Sequence, residues 1–212
     1  MDGIIIVDKP SGWTSFDVVA KIRSISHEKR VGHSGTLDPM ATGLLPVFLG
    51  KATKFIKYFI GGDKGYLGEM ILGVRTNTGD TEGERIPDYR KIRKRESEGQ
   101  NIRIDKEEIE KVFQKYVGEM AQVPPMYSAV KVNGQRLYKL ARKGITINRE
   151  PRKVVIYKLK LIGSSFKGFE TQSSIEHQAS IDDTSIANDN RITFYVECSK
   201  GTYIRQLVMD IG

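Results

Sequence analysis

Short segments of strand type are spread along the whole chain, and they limit its fold more than any other feature of the sequence. Residues 4–7 form a β-branched run closed by turn residues, which predicts a buried strand. Residues 43–49 and 66–74 are further candidates, and residues 154–162 and 192–198 alternate as strands do. Strands interleaved with helices predict an α/β (α+β) fold in one domain, with a mixed, largely antiparallel central sheet flanked by helices.

Amphipathic segments between these strands predict the helices. One helix is expected to begin at Thr14 or Ser15, and another at Asp105, which acidic residues follow. Residues 52–60, 136–143 and 201–211 are further helix candidates. At helical spacing, the residues expected to face the core are Phe16, Val18, Val19, Ile22 and Ile25 in the first helix, Phe55, Ile56 and Phe59 in residues 52–60, and Ile109, Val112, Phe113 and Tyr116 after Asp105.

Two polar stretches interrupt this pattern. Residues 87–100 are strongly charged and poor in apolar side chains, so we expect an exposed linker there. Residues 163–190 are rich in Ser, Thr and acidic side chains and separate two predicted strands. Because a long connection without structure of its own is unusual inside a domain, we interpret this stretch as a flexible polar hairpin insertion.

The composition excludes several functional classes. Cys198 is the only cysteine, and the three histidines lie far apart, so neither a disulfide framework nor a metal site is expected. Gly50-Lys51 does not have the spacing of a P-loop, and no GxGxxG pattern occurs, so no nucleotide cofactor is expected. No apolar run approaches the ~18 residues of a membrane span, and a signal peptide is not evident. A cytoplasmic protein without membrane contact is therefore expected.

The positive charge of the chain is concentrated in one segment. The net charge is +8, and residues 131–160 hold ten Lys or Arg against Glu150 alone. A basic segment of this kind favours a polyanionic partner. The alternative is a solvated surface, since charged runs are common on protein exteriors.

A loop rich in Gly, Thr, Asp and Pro at residues 31–43 carries the candidate chemistry. Its glycines permit tight turns and the close approach of a ligand to the backbone. Pro39 restricts the backbone of Asp38, which favours a fixed direction for the carboxylate and makes Asp38 a candidate nucleophile. The alternative is that Asp38 caps the turn or a helix that follows it.

Six sequence blocks, in order along the chain, carry a resemblance to a known family. The run Gly-His-Ser-Gly-Thr-Leu-Asp-Pro-Met-Ala-Thr-Gly-Leu-Leu resembles the catalytic loop of the TruB family of tRNA pseudouridine synthases. The N-terminal block Val-Asp-Lys-Pro-Ser-Gly is similar to the lysine-proline motif of that family, in which Lys9 is expected to support the loop. The other blocks that resemble the family lie at residues 63–66, 75–80, 124–131 and 198–205.

The resemblance implies a fold, a reaction and a substrate. The fold would be the pseudouridine synthase fold, and the reaction would convert the T-loop uridine at conventional position 55 of tRNA to pseudouridine without a cofactor or metal. The target base would leave its stack and enter a pocket. Asp38 would be the nucleophile, with attack on C6, attack on C1′ and abstraction of the 2′ proton left open.

The resemblance also implies roles for other residues. Tyr66 would stack on the target base and take the C5 proton, and Arg205 would pair with Asp38 and hold it ionised. The alternatives are an ordinary strand tyrosine and a surface arginine. His33 would contact the flipped-out RNA or cap the loop. The expected substrate-binding residues are His33, Tyr203, Asp80 and Lys64, and the expected RNA-backbone residues are Lys131, Arg136, Lys139, Arg142 and Lys143.

Two departures from the family pattern concern the extent of the chain. The insertion at residues 163–190 lengthens a connection that is short in relatives. Relatives also continue with a leucine-arginine-arginine block and a C-terminal domain of the PUA type, so residues 1–212 are interpreted as a truncated catalytic domain without that domain. The expected state is a monomer bound to the T-arm stem-loop of tRNA. A non-catalytic tRNA-binding or folding module and a guide-RNA-dependent relative remain as alternatives.

Overall fold

In the computed structural model, which describes residues 1–86, 105–166 and 190–212, the chain divides into two units at Asp63. The structure confirms the α+β class. It differs from the expected single sheet, because the described strands form separate sheets of three, four and two strands. Every described strand pair is antiparallel. A 3-10 helix, Gly50–Phe55, follows the last strand of the first sheet.

The first unit, residues 1–63, is a three-stranded sheet with one long helix. The strand order is β1-β3-β2, so β3 pairs with both neighbours. The elements are β1 (Gly3–Lys9), α1 (Ser15–Ser26), β2 (Val31–His33), β3 (Gly43–Leu49), a 3-10 helix (Gly50–Phe55) and α2 (Ile56–Phe59).

Thr14 begins α1 as predicted. Its hydroxyl accepts from the Asp17 amide, and the Asp17 carboxylate accepts from the Thr14 amide and hydroxyl. These hydrogen bonds from Thr14 lower the pKa of the Asp17 carboxyl. From this start, α1 packs Val18 and Val19 against the sheet, where they join buried residues of β2 and β3.

Several residues expected in this core are exposed instead. Phe16 lies two residues before Val18, which places it on the opposite side of α1, and Ile25 lies in the last turn; both are 65% exposed. Phe55 and Phe59 are also exposed. Phe55 ends a 3-10 helix, whose three residues per turn leave no continuous apolar face, and Phe59 ends the single turn of α2. The strand predicted at residues 4–7 is confirmed. The prediction that it is buried is wrong, since β1 is an edge strand with exposed isoleucines.

The second unit, residues 64–212, is a four-stranded sheet with helices on one face. Its strand order is β4-β9-β8-β5, and a two-stranded hairpin, β6-β7, stands apart. The elements are β4 (Lys64–Ile71), α3 (Lys106–Gln114), β5 (Gly118–Gln122), β6 (Lys131–Val132), β7 (Gln135–Arg136), α4 (Leu137–Ala141), β8 (Arg152–Phe166), β9 (Asn190–Cys198) and α5 (Ile204–Ile211).

The core of this unit forms between the sheet and the helices α3 and α5. Ile109 and Phe113 of α3 and Leu207 of α5 pack with β8 and β9 side chains in one buried cluster. Tyr66 pairs with Val196 and packs against this cluster, so its ring lies on the face of the sheet that the helices cover.

The polar stretches are only partly described. Strands β8 and β9 pair as far as Phe166 and Asn190, so the start of the predicted insertion belongs to a strand. The rest of the predicted hairpin insertion and the predicted linker at residues 87–100 lie outside the described residues. In the described part of the chain, no helix is long and apolar enough to cross a membrane.

Lys9, the last residue of β1, is fully buried. Its Nζ donates to the carbonyl oxygens of Pro10, Trp13 and Pro39, at 2.9, 2.6 and 3.0 Å. A buried ammonium persists only where acceptors replace its water shell, and three carbonyls do so here. Lys9 therefore joins the end of β1 to a loop thirty residues away in sequence.

We expect Lys9→Met to lower the free energy of unfolding by roughly 2–3 kcal/mol, because it keeps the side-chain length but removes three charge-assisted hydrogen bonds from one buried position. Urea denaturation followed by circular dichroism measures this loss. Lys51→Met is the control, since the Lys51 ammonium is exposed and lies 4.0 Å from its acidic partner Asp2. Equal stability of the two variants would contradict the structural role of Lys9.

Candidate active site

The loop that carries Asp38 is held on both sides by the segment after β1. The Leu37 amide donates to Ser15 Oγ at 3.0 Å. The Pro39 carbonyl accepts from the Gly12 amide at 2.9 Å as well as from Lys9. The Ser11 hydroxyl donates to the Met40 carbonyl at 3.2 Å. The residues immediately before and after Asp38 are therefore fixed to a second piece of backbone.

Asp38 lies half-buried in a turn rather than at the start of a helix. Residues 34–42 contain no helix or strand, so the helix-capping alternative is wrong. The turn is closed by the backbone, since the Ala41 amide donates to the Asp38 carbonyl at 3.0 Å. The anchored residues on either side fix the position at which the Asp38 side chain leaves the backbone, and a fixed backbone is one requirement of a positioned nucleophile.

His33 ends β2, just before this loop. Its Nδ1–H donates to the Gly35 carbonyl at 2.5 Å, which gives the loop-capping alternative a specific contact. This bond fixes the tautomer and the plane of the ring. The predicted contact of His33 with RNA stays a prediction.

Arg205 lies in the first turn of α5, and three groups of the second unit hold its guanidinium. Nη1 donates to the Thr78 carbonyl at 2.9 Å and lies 3.4 Å from Asp80 Oδ2, and Nη2 donates to the Tyr127 carbonyl at 3.0 Å. The side chain of Arg205 is only 16% exposed, and that of Asp80 is 8% exposed. The pairing of Arg205 with Asp38, which belongs to the first unit, stays a prediction.

Asp80 shapes the loop that holds Arg205. Its Oδ1 accepts from the Thr78 hydroxyl at 2.5 Å and from the Glu82 amide at 3.1 Å, while its other oxygen faces Arg205. Both carboxylate oxygens thus have partners inside the protein. Asp80 was predicted to line the substrate pocket, and the structure shows it as the ionic partner of Arg205.

The remaining predicted site residues of the second unit lie at element ends. Lys64 is the first residue of β4, Tyr66 lies two residues further on, and Tyr203 is the residue that precedes α5. The structure adds Gln122, whose buried amide bonds to the backbone of Tyr203. The sequence contains no signal for this role, because a single glutamine near a strand end has no distinguishing pattern.

The predicted RNA-backbone residues form one exposed surface on β6, β7, α4 and the residue pair that follows α4. We call this set the basic surface, and its members are Lys131, Arg136, Lys139, Arg142 and Lys143. Among the described residues, none of these five has an acidic partner. Four of them, Lys131, Arg136, Lys139 and Lys143, line a cavity of about 460 Å³. Arg142 lies over the ring of Tyr138, with 5.5 Å between Cζ and the ring centroid.

No metal site is evident in the part of the chain that the structure describes, where no three His, Cys, Asp or Glu side chains come together. What the described residues do bring together is an anchored carboxylate loop in the first unit. The second unit adds an arginine held by Asp80 and two carbonyls, a strand tyrosine that packs against the core, and a basic surface without acidic partners among the described residues.

Solved structures and curated proteins resemble this chain. A Cbf5-Nop10-Gar1 complex matches with a TM-score of 0.61 and 28% identity over 99% of this chain and 43% of that chain, which confirms the pseudouridine synthase fold. The tRNA pseudouridine synthases B of Clostridium kluyveri and Clostridium perfringens strain 13 are 42% and 45% identical over 212 residues. These matches cover 100% of this chain but 62% and 61% of the relatives, so the chain spans about three fifths of their length.

The sequence model of one family, TruB family pseudouridylate synthase (N terminal domain), matches residues 23–204. The matched range includes the Asp38 loop, the start of β4 with Tyr66 and the residues that lead into α5. The chain therefore belongs to the TruB family of pseudouridylate synthases.

Proposed function

We propose that the protein converts uridine to pseudouridine in tRNA, at the T-loop uridine of conventional position 55. The single observation that carries this proposal is the Asp38 turn, which lies within the family match and whose neighbours are bonded to the segment after β1. Curated relatives that cover the whole chain are named tRNA pseudouridine synthase B. The proposed partner is the T-arm stem-loop, bound by a monomer in the cytoplasm, and no cofactor or metal enters the reaction.

The reaction exchanges one bond for another without oxidation or reduction. The N1–C1′ bond of uridine breaks, the freed base turns, and a C5–C1′ bond forms. The C5 proton is lost to a base, and N1 gains a proton. Asp38 is the proposed nucleophile, and its attack on C6 or on C1′, or abstraction of the 2′ proton, each begins this exchange.

Tyr66 and Arg205 are the proposed partners of Asp38. Tyr66 lies on the helix-covered face of its sheet, where a phenol ring offers a flat surface for a flipped base and an oxygen that can take the C5 proton. The guanidinium of Arg205 is held by Asp80 and two carbonyls, so it stabilises negative charge without having to reorganise. His33, Lys64 and Tyr203 are the remaining proposed contacts with the substrate.

The basic surface is the proposed site for the RNA backbone. Its five side chains have no acidic partners among the described residues, so their charge is available to phosphates. Phosphate contacts position an RNA without reading its sequence, and the reading of the T-loop then falls to the pocket around the flipped base.

A guide-RNA-dependent role is a second candidate, because one similar structure is an H/ACA ribonucleoprotein bound to a substrate RNA. That chain is 25% identical, whereas the tRNA enzymes reach 45%. The difference favours tRNA. A non-catalytic tRNA-binding module is the alternative that an activity measurement distinguishes.

We expect Asp38→Asn to abolish tritium release from tRNA that carries 5-³H-uridine, with a fall of at least about 10³-fold, because an amide is not a nucleophile at neutral pH. Binding of tRNA should change little. Asp2→Asn is the control, since the Asp2 carboxylate bonds only at the surface, to the Lys51 backbone and ammonium. Release that survives Asp38→Asn would exclude the nucleophile, and binding without release by the wild type would favour the module.

Asp80→Asn should lower the single-turnover rate by about 10- to 100-fold, because it removes the charge that orients Arg205 while an amide oxygen still accepts from Thr78 and Glu82. The dissociation constant for tRNA should stay within about twofold. Glu82→Gln is the control, since its exposed carboxylate makes no ion pair among the described residues. A weaker affinity at an unchanged rate would show that Asp80 contacts RNA instead.

The double variant Arg142→Glu/Lys143→Glu should weaken tRNA binding and reduce the slope of log affinity against log salt concentration by about 1.5, since each lost phosphate contact removes roughly 0.7–0.9. Affinities measured between about 50 and 500 mM salt, a tenfold range, test this. Lys106→Glu/Lys111→Glu on α3 changes the net charge equally and serves as the control. Equal slopes for wild type and the Arg142/Lys143 variant would remove the basic surface from the RNA interface.

A further inference from the structure

Gln122 is the last residue of β5, and its side chain is 2% exposed. The oxygen and the nitrogen of its side-chain amide both form hydrogen bonds with one residue, which is 81 positions away in sequence. The Tyr203 amide N–H donates to Gln122 Oε1 at 2.8 Å, and Gln122 Nε2 donates to the Tyr203 carbonyl at 3.1 Å. A buried side-chain amide thus pairs with a backbone peptide as a neighbouring strand would.

This pairing occurs where α5 begins. Tyr203 precedes the helix, its carbonyl also accepts from the Leu207 amide at 3.0 Å, and its own side chain makes no capping hydrogen bond. The start of a helix leaves backbone groups without partners inside the helix. Gln122 bonds to both the N–H and the carbonyl of Tyr203, and so it fixes the backbone at the point where α5 begins.

The segment that follows Gln122 also holds the side chain of Arg205. The Tyr127 carbonyl accepts from Arg205 Nη2 at 3.0 Å, and Arg205 is only two residues beyond Tyr203. Residues 122–127 therefore contact both the backbone before Arg205 and its guanidinium. At the other end of the same connection, the Ser199 amide donates to the Val155 carbonyl at 2.8 Å.

We propose that Gln122 is a positioning residue for catalysis, which sets the place of Tyr203 and Arg205 through the backbone at the start of α5. This inference rests on the proposed pseudouridine synthase function. Gln122 itself does not touch the substrate. A displacement of about 1 Å in a group that acts on the reacting atoms can reduce a rate about 100-fold, so loss of this amide is expected to appear in the chemical step.

The first test is Gln122→Met, which keeps the side-chain length and removes both hydrogen bonds. We expect the single-turnover rate of tritium release to fall at least about tenfold, with the dissociation constant for tRNA within about twofold. In an Arg205→Lys background the same change should cause a smaller further loss, because part of the effect of Gln122 acts through Arg205. Gln206→Met is the matched control, since among the described residues the Gln206 side-chain amide donates to Asp210 alone, one turn along α5.

The second test uses a carboxyl group that changes its bonding with pH. The protonated carboxyl introduced by Gln122→Glu donates to the Tyr203 carbonyl and accepts from its amide, as the glutamine does. The ionised form only accepts and faces the carbonyl oxygen. The rate of Gln122→Glu relative to the wild type should therefore be highest at low pH and fall as pH rises. A merely structural role would not produce a ratio that follows this titration.

Hydrogen exchange gives a readout that does not depend on activity. Amides of residues 203–207 should exchange faster in Gln122→Met than in the wild type or Gln206→Met, because the start of α5 has lost its partner. Unchanged exchange would overturn the inference whatever the activity. Faster exchange with a wild-type rate of tritium release would also overturn it, whereas an inactive wild type would overturn the proposed function.

Discussion

The buried ammonium of Lys9 is the interaction on which the first unit depends. It lies at the end of β1 and donates to carbonyls on both sides of a turn and in the Asp38 loop. An ammonium is the only side-chain group that carries three donor hydrogens on one atom. Residues 34–42 contain no helix or strand, and this ammonium, the Gly12 amide and the hydroxyls of Ser11 and Ser15 hold them in place.

In the second unit, too, the groups around one cation hold it in place. Arg205 is placed by a carboxylate and two carbonyls, and the helix that carries it begins at a backbone held by Gln122. In both units a flexible polar side chain is fixed by backbone carbonyls rather than by apolar packing. Carbonyls belong to the fold itself, so they keep the geometry of these groups independent of solvent.

Local sequence patterns predict most of the helices and strands, but they do not predict which faces of these helices and strands are buried. The Thr14 and Asp105 caps, the strands around residues 154–162 and 192–198 and the helix after Tyr203 follow from short-range chemistry, and the structure has each of them. The exposure of Phe16, Phe55 and the β1 isoleucines depends on which sheet each element joins, and that is decided by contacts far away in sequence. The motif resemblance indicated Asp38, Tyr66 and Arg205, whereas Asp80 as the partner of Arg205 required coordinates.

Gln122 shows the limit most clearly. Its chemistry is ordinary, and its role arises only because the end of β5 lies beside the start of α5. A glutamine that pairs with a distant peptide leaves no periodic or compositional trace. Sequence patterns report local periodicity, and this contact spans 81 residues.

The basic surface has an energetic consequence for the unbound protein. Its five exposed cations, four of which line one cavity, have no acidic partners among the described residues, so they repel one another while no anion is present. The folded protein therefore carries the free energy of this repulsion, and a bound polyanion would lower it by neutralising the charges. Part of the affinity for such a ligand thus comes from the removal of this repulsion. Dissolved salt screens the same charges before the ligand binds, and so it lowers that part of the affinity.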